Sequence, residues 1–175
     1  MLTLDEIEID APLEACFRAG ADVEQWPSIL PHYRWVRFQR RDAFGTGRVE
    51  MAARRSFGPL PYPVWWVSEM ELDERRPAVL YRHVDGITTG MEVEWGFEAL
   101  GPRRTRIRLV HEWDGGPRWP LPDRARREIA DRIIGPVFID HVAGRTLKGI
   151  KRQVERQGTA SGARPAPPTF FDERA

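Results

Sequence analysis

Side chains that titrate or react near neutral pH are sparse here, for the chain has four histidines and one cysteine. His32, His83, His111 and His141 lack the close pairing that metal ligation requires, and Cys16 stands alone, so no metal site is expected. No glycine-rich phosphate loop or nucleophile motif is present, so no cofactor is expected either. His111 shares a strand face with Ile107, Leu109 and Trp113 and is a candidate acid or base; a histidine so placed also serves as a hydrogen-bonded core residue. His141, beside Asp140, reaches either the interior or solvent. Arg55 is in phase with Val49, Met51 and Phe57, which points it inward, where its charge would need a carboxylate or a ligand oxygen. A bulge near Arg54 and Arg55 would turn it outward. Arg82 offers forked donors that would neutralise a carboxylate or enolate in an apolar pocket. It is equally readable as a surface residue, because all but two of the 27 basic residues are arginine.

The elements that must position these groups follow from periodicity. Leu2, Leu4, Ile7 and Ile9 mark a first strand whose alternation slips once, and Asp10 before Pro12 can cap a helix to Gly20. Asp22 to Trp26 offers a second short helix, stopped by Pro27 and Pro31. From Tyr33 to about Leu109 the period is two: Met91, Val93, Trp95 and Phe97 share a dry face, and Glu92, Glu94 and Glu98 the wet one. Turns at Phe44–Gly47, Gly58–Pro61, Glu74–Pro77, Asp85–Gly86 and Gly101–Pro102 divide this region into six strands of an antiparallel meander. Leu121 to Gln157 carries Ile129, Ile133, Val137, Ala143, Leu147, Ile150 and Val154 at helical spacing, predicting one long helix disturbed at Gly135–Pro136.

Residues 1–157 therefore read as one domain, and 158–175, rich in Pro, Ala and Gly, as a disordered tail in which Phe170 and Phe171 are potential docking points. The chain of 175 residues suits a single core, and no apolar run is long enough to span a membrane. A net charge of +1 argues against a nucleic-acid partner. With an acidic N-terminus resembling no secretory signal and a single cysteine, a cytoplasmic location is expected. Arginine in place of lysine, with abundant Ala, Gly and Pro, suggests a bacterial source.

The order β-α-α-β-β-β-β-β-β-α predicts an α+β helix-grip fold, a curved seven-stranded antiparallel sheet around a long C-terminal helix with two short helices between strands 1 and 2. One helix about 10 Å wide leaves space against so broad a sheet. The predicted inward positions are large: Trp66, Met70, Trp95, Phe97 and Trp113, with Trp26 and Tyr33 near the entrance. Together with Arg55 these are the expected ligand-binding residues, and flat aromatic faces suit aromatic or polycyclic molecules. The alternative is that the same side chains fill a solid core.

The stretch Asp22-Val23-Glu24-Gln25-Trp26-Pro27-Ser28-Ile29-Leu30-Pro31-His32-Tyr33, with Trp65-Trp66-Val67-Ser68-Glu69, Arg82-His83-Val84-Asp85-Gly86 and Met91-Glu92-Val93-Glu94-Trp95, resembles the START/polyketide-cyclase superfamily (SRPBCC), which includes the birch-pollen allergen fold. The resemblance spans about residues 2 to 157 and is most similar to bacterial aromatase/cyclase domains. It implies that Arg82 and Tyr33 are catalytic, orienting a poly-β-ketone and assisting enolisation and dehydration, and that Trp26 and Trp95 shape the pocket. Met70 stands where those domains carry a second pocket arginine.

Three functions remain open. The first is binding of an apolar or aromatic small molecule, polyketide-, quinone- or lipid-like, in an internal cavity. The second is a metal-free and nucleotide-free polyketide aromatase/cyclase or dehydratase, which would bring an acyl carrier protein as partner. The third is an interaction or regulatory module with a vestigial cavity.

Overall fold

Alternation of side chains is visible in the computed structural model as alternation of burial. It describes residues 1–57 and 60–162, with side chains at all of these except 55–57, 60–62, 136–141 and 160–162. In β7 (Arg104–Glu112), Thr105, Ile107, Leu109 and His111 are buried, whereas Arg104, Arg106 and Arg108 lie on the outer face. The same parity buries Val93, Trp95 and Phe97 in β6 (Glu92–Gly101) and exposes Glu92 and Glu98. A period of two with one dry face is what a half-covered antiparallel sheet demands.

The other strands are β1 (Leu2–Ile9), β2 (Tyr33–Arg41), β3 (Gly47–Phe57), β4 (Leu60–Asp73) and β5 (Ala78–Gly86). All seven form one antiparallel sheet in the order β1-β7-β6-β5-β4-β3-β2, the meander closed by β1 pairing with β7. Salt bridges strengthen the wet face where β1, β7 and β6 run together: Glu8 binds Arg104 and Arg106, Arg106 also reaches Glu98, and Arg108 meets Glu6 at 2.6 Å.

Between β1 and β2 lie α1 (Leu13–Ala21), a 3-10 turn (Val23–Gln25) and α2 (Trp26–Ile29). Pro12, not Asp10, occupies the N-cap of α1, and no side chain caps it. Pro27 falls in the first turn of α2 rather than ending a helix, a position where its missing N–H costs nothing.

The C-terminal helical run comprises α3 (Asp123–Ile129), a π-helical stretch (Ala130–Ile139) and α4 (Asp140–Gly162). The wide turns coincide with Gly135–Pro136, where proline cannot donate the regular helical hydrogen bond. Helix α4 continues to Gly162, so residues 158–162, assigned to the tail by composition, extend the helix instead. Ala143, Leu147, Ile150 and Val154 form its buried stripe against the concave face. Lys151 Nζ donates to the Glu8 carbonyl at 2.6 Å and meets Glu155 at 2.8 Å, while Glu155 accepts from the Asp10 backbone N–H, tying α4 to the end of β1.

Candidate functional site

A space of about 80 Å3 remains between the concave face and α4. Trp26, Tyr33, Met51, Trp66, Trp95 and Leu109 supply much of its wall, and α4 contributes Val142, Ala143 and Thr146. The aromatic rings touch in sequence: Trp26 lies 5.1 Å from Tyr33 and 5.5 Å from Trp95, and Tyr33 lies 6.3 Å from Trp66, centroid to centroid. Such tilted and edge-on contacts match the charge distribution of aromatic rings. The Trp26 indole N–H donates to the Ala19 carbonyl at 3.0 Å, fixing α2 against α1 and the ring against the cavity.

The polar part of the wall is Tyr33, Tyr81, His83, Thr88, His111 and Thr146. Trp66 stacks on His83 at 6.0 Å, and His83 Nδ1 lies 2.7 Å from Thr88 Oγ1. Thr88 is held there by a turn in which Gly86 takes φ +92° and Met91 N–H donates to the Thr88 carbonyl. His111 Nδ1 lies 3.2 Å from Thr3 Oγ1 on β1. Thr146 Oγ1 donates to the Val142 carbonyl at 2.8 Å and sits 2.9 Å from His32 Nε2, which links α4 to the residue before Tyr33.

Burial sets the protonation of these groups. Loss of hydration, with His111 adding repulsion, lowers His83 to about 3, and loss of hydration alone lowers His111 to about 4; both are neutral at pH 7. Tyr33 and Tyr81 are pushed above the ordinary tyrosine range by the same desolvation, so both remain hydroxyls, and interaction with Thr146 only partly offsets the shift at Tyr33. Among the described residues that line the cavity there is no Asp, Glu, Lys or Arg.

The structure brings Trp26, Tyr33, Trp66, Trp95 and His111 together around this space. Other sequence-derived candidates lie elsewhere. Arg82 is exposed on the outer face, beside a surface groove with Glu69, Glu71 and Glu92, because the inward phase of β5 is Val79, Tyr81 and His83. Met70 is buried on the concave side but is not part of the cavity wall. Phe97 packs edge-on against Phe17 at 5.5 Å and over Gly20, filling the core between β6 and α1. Trp113 lies past the end of β7, its indole N–H donating to the Thr89 carbonyl at 3.1 Å, so it braces the 87–91 turn and does not line the cavity. The side chains of Arg55 and His141, and Phe170 and Phe171, lie outside the described residues.

Sequence reading missed Tyr81, His83, Thr88 and Thr146. The first two share the buried phase of Val79, so alternation in β5 carries their signal, whereas Arg82 between them has the opposite phase. Thr88 and Thr146 carried no local signal, since a turn and a distant helix turn them toward the same space.

A curved seven-stranded antiparallel sheet with a long C-terminal helix across its concave face is the helix-grip fold. The chain belongs to the family of polyketide cyclase/dehydrase and lipid transport proteins, whose profile matches residues 9–138. It is 29% identical over 133 residues to a Streptomyces cyaneus protein provisionally named a polyketide cyclase, covering 74% of this chain and 84% of that one. Its fold is similar to the Zhui aromatase/cyclase from Streptomyces sp. R1128, with TM-score 0.73 and 20% identity over 93% of this chain and 98% of the other. A START superfamily protein from Mycobacterium smegmatis superposes with TM-score 0.67 at 14% identity, covering 89% of this chain and 98% of its own.

Proposed function

We propose that the protein encloses an apolar, aromatic small molecule between α4 and the sheet, as a binding or carrier domain. The observation that carries this reading is the continuous aromatic wall of Trp26, Tyr33, Trp66 and Trp95 around an internal space. Aromatic faces give large contact area with little rotamer entropy to lose, which favours flat ligands. The space of about 80 Å3 is small beside the roughly 300–1,000 Å3 of pockets for drug-sized ligands, so it matches a single ring, and a larger molecule would extend beyond it or need α4 or the 87–91 turn to shift. Native mass spectrometry of the purified protein, with tryptophan fluorescence titration against aromatic compounds of increasing size, tests the reading. Quenching or a blue shift that saturates supports it; no response from folded protein across the series counts against it.

A second reading, metal-free enolisation or dehydration of a polyketide, is favoured by one observation: two neutral imidazoles, His83 and His111, border the same cavity as the Tyr33 hydroxyl. A neutral imidazole can take a proton and a buried phenol can steady an enolate oxygen, but Arg82 cannot contribute from the outer face. Ring closure of a polyketide surrogate by wild-type protein, lost in His111→Gln, would select this reading over the carrier.

A further inference from the structure

Charge is distributed unevenly along the chain, and the solvent side of α4 is strongly basic. Between residues 142 and 159 it carries Arg145, Lys148, Lys151, Arg152 and Arg156 against a single carboxylate, Glu155, in a chain whose net charge is +1. Lys151 is held by Glu155 and the Glu8 carbonyl, and Arg156 donates to the Arg152 carbonyl and to Gln153. Arg145, Lys148 and Arg152 are exposed and line one surface groove with Leu30, Pro31 and His32. Among the described residues no carboxylate lines this groove or pairs with these three cations, whereas Arg104, Arg106 and Arg108 on β7 all have acidic partners. Positions i, i+3 and i+7 set the three cations in one row, about 10 Å long at 1.5 Å per residue, where they repel one another. The facing wall lies close because residue 149 is glycine: a Cβ there would stand 2.1 Å from Leu30 Cδ2, and Arg152 Nη2 comes within 4.0 Å of the same point.

We propose that the groove between α4 and the 30–32 segment docks an acidic helical segment of a partner protein. Carboxylates repeated every three to four residues on a partner helix match the row in both spacing and sign, and they would relieve its repulsion. A single phosphate group spans only a fraction of the row. The +4 of residues 142–159 leaves −3 for the rest of the chain, so a long nucleic acid or an extended anionic membrane meets repulsion beyond the groove. Leu30, the large apolar side chain of the groove, is buried, which leaves nothing there to insert into a bilayer. His32 borders the groove and its partner Thr146 borders the cavity, so the docking surface and the cavity lie on opposite sides of this pair. The inference therefore stands whether the cavity carries a ligand or transforms one.

Calorimetric titration of the full chain uses three probes: a helical peptide of roughly 20 residues with Glu at three- and four-residue spacing, its Gln counterpart, and a thymidine oligonucleotide. The wild-type protein is expected to bind the Glu peptide, to bind it less well as salt screens exposed charges, and to ignore the Gln counterpart. The triple variant Arg145→Gln, Lys148→Gln, Arg152→Gln should bind the Glu peptide roughly tenfold more weakly, since each exposed pair contributes modestly. Removing the same charge elsewhere, with Arg75→Gln, Arg118→Gln and Arg124→Gln, should leave affinity within about twofold. Circular dichroism verifies that both variants fold. A readout on wild type alone is carbodiimide coupling of the Glu peptide, mapped by mass spectrometry, which should join its carboxylates to Lys148. Any of four results would overturn the proposal: no binding of the Glu peptide by wild type, an equal loss or no loss in the two triple variants, coupling confined to other lysines, or tighter binding of the oligonucleotide than of the peptide.

Discussion

At the scale of single residues, parity decides which side chains meet a ligand. Arg82 and His83 are adjacent in sequence, yet they are separated by the thickness of the sheet: one stands among outer-face carboxylates, the other stacks on Trp66. Arg82→Ala should therefore change the affinity of any cavity ligand by less than about twofold and stability by no more than about 0.5 kcal/mol, the range of ordinary surface substitutions. Fluorescence titration of wild type and variant with acetophenone and benzoate checks this. A selective loss of benzoate binding would mean that the arginine reaches the ligand. The residue list was thus legible in part. Trp26, Tyr33, Trp66, Trp95 and His111 are legible from residue type and position, whereas alternation places Tyr81 and His83 inward without saying that they border open space.

At the scale of elements, the turn between β5 and β6 sets the polar end of the cavity. Gly86 has φ +92°, and a Cβ built there would lie 2.5 Å from the Trp65 carbonyl oxygen and 2.8 Å from the Trp66 Cα. Both obstacles are backbone, so the clash cannot be relieved by rotating a side chain. Gly86→Ala should cost about 1–3 kcal/mol from the left-handed conformation, with the clash adding to it. Because the same turn carries Thr88 to His83, the variant should also disturb ligand binding; chemical denaturation together with titration of a ring probe measures both effects. A variant as stable as wild type would show that the turn can be rebuilt without glycine.

At the scale of the whole molecule, two histidines inside the core make folding dependent on pH. An unfolded histidine takes up its proton near pH 6.5, but folded His83 and His111 do so only at about 3 and about 4 because burial penalises the charged ring. Between these limits the unfolded chain binds more protons, so stability is complete above pH 6.5 and declines as pH falls toward 4. Urea denaturation from pH 7.5 to 4 should show a falling midpoint, and His83→Gln with His111→Gln should flatten that slope. An unchanged slope in the double variant would assign the acid sensitivity to other groups. Ligands that occupy the cavity bind only the folded form and should raise the midpoint at every pH, by an amount that grows with their concentration.

Hydrophobic periodicity, together with local turn, cap and proline signals, determined the seven strands, the two short helices after β1, the disturbance at Gly135–Pro136 and the aromatic character of the interior, because these depend on neighbours within one turn or one strand. Only the tertiary structure decided which inward residues border open space and which fill the core. Met70, Phe97 and Trp113 are as apolar and as well phased as Trp66 and Trp95, but Phe97 meets α1, Trp113 meets the 87–91 turn and Met70 lies away from the cavity wall. Likewise, Thr3, Thr88 and Thr146 became partners of histidines through pairings across 108, 5 and 114 residues. Alternation specifies the side of a sheet; the position along that side where a helix leaves a gap is set by packing among elements distant in sequence.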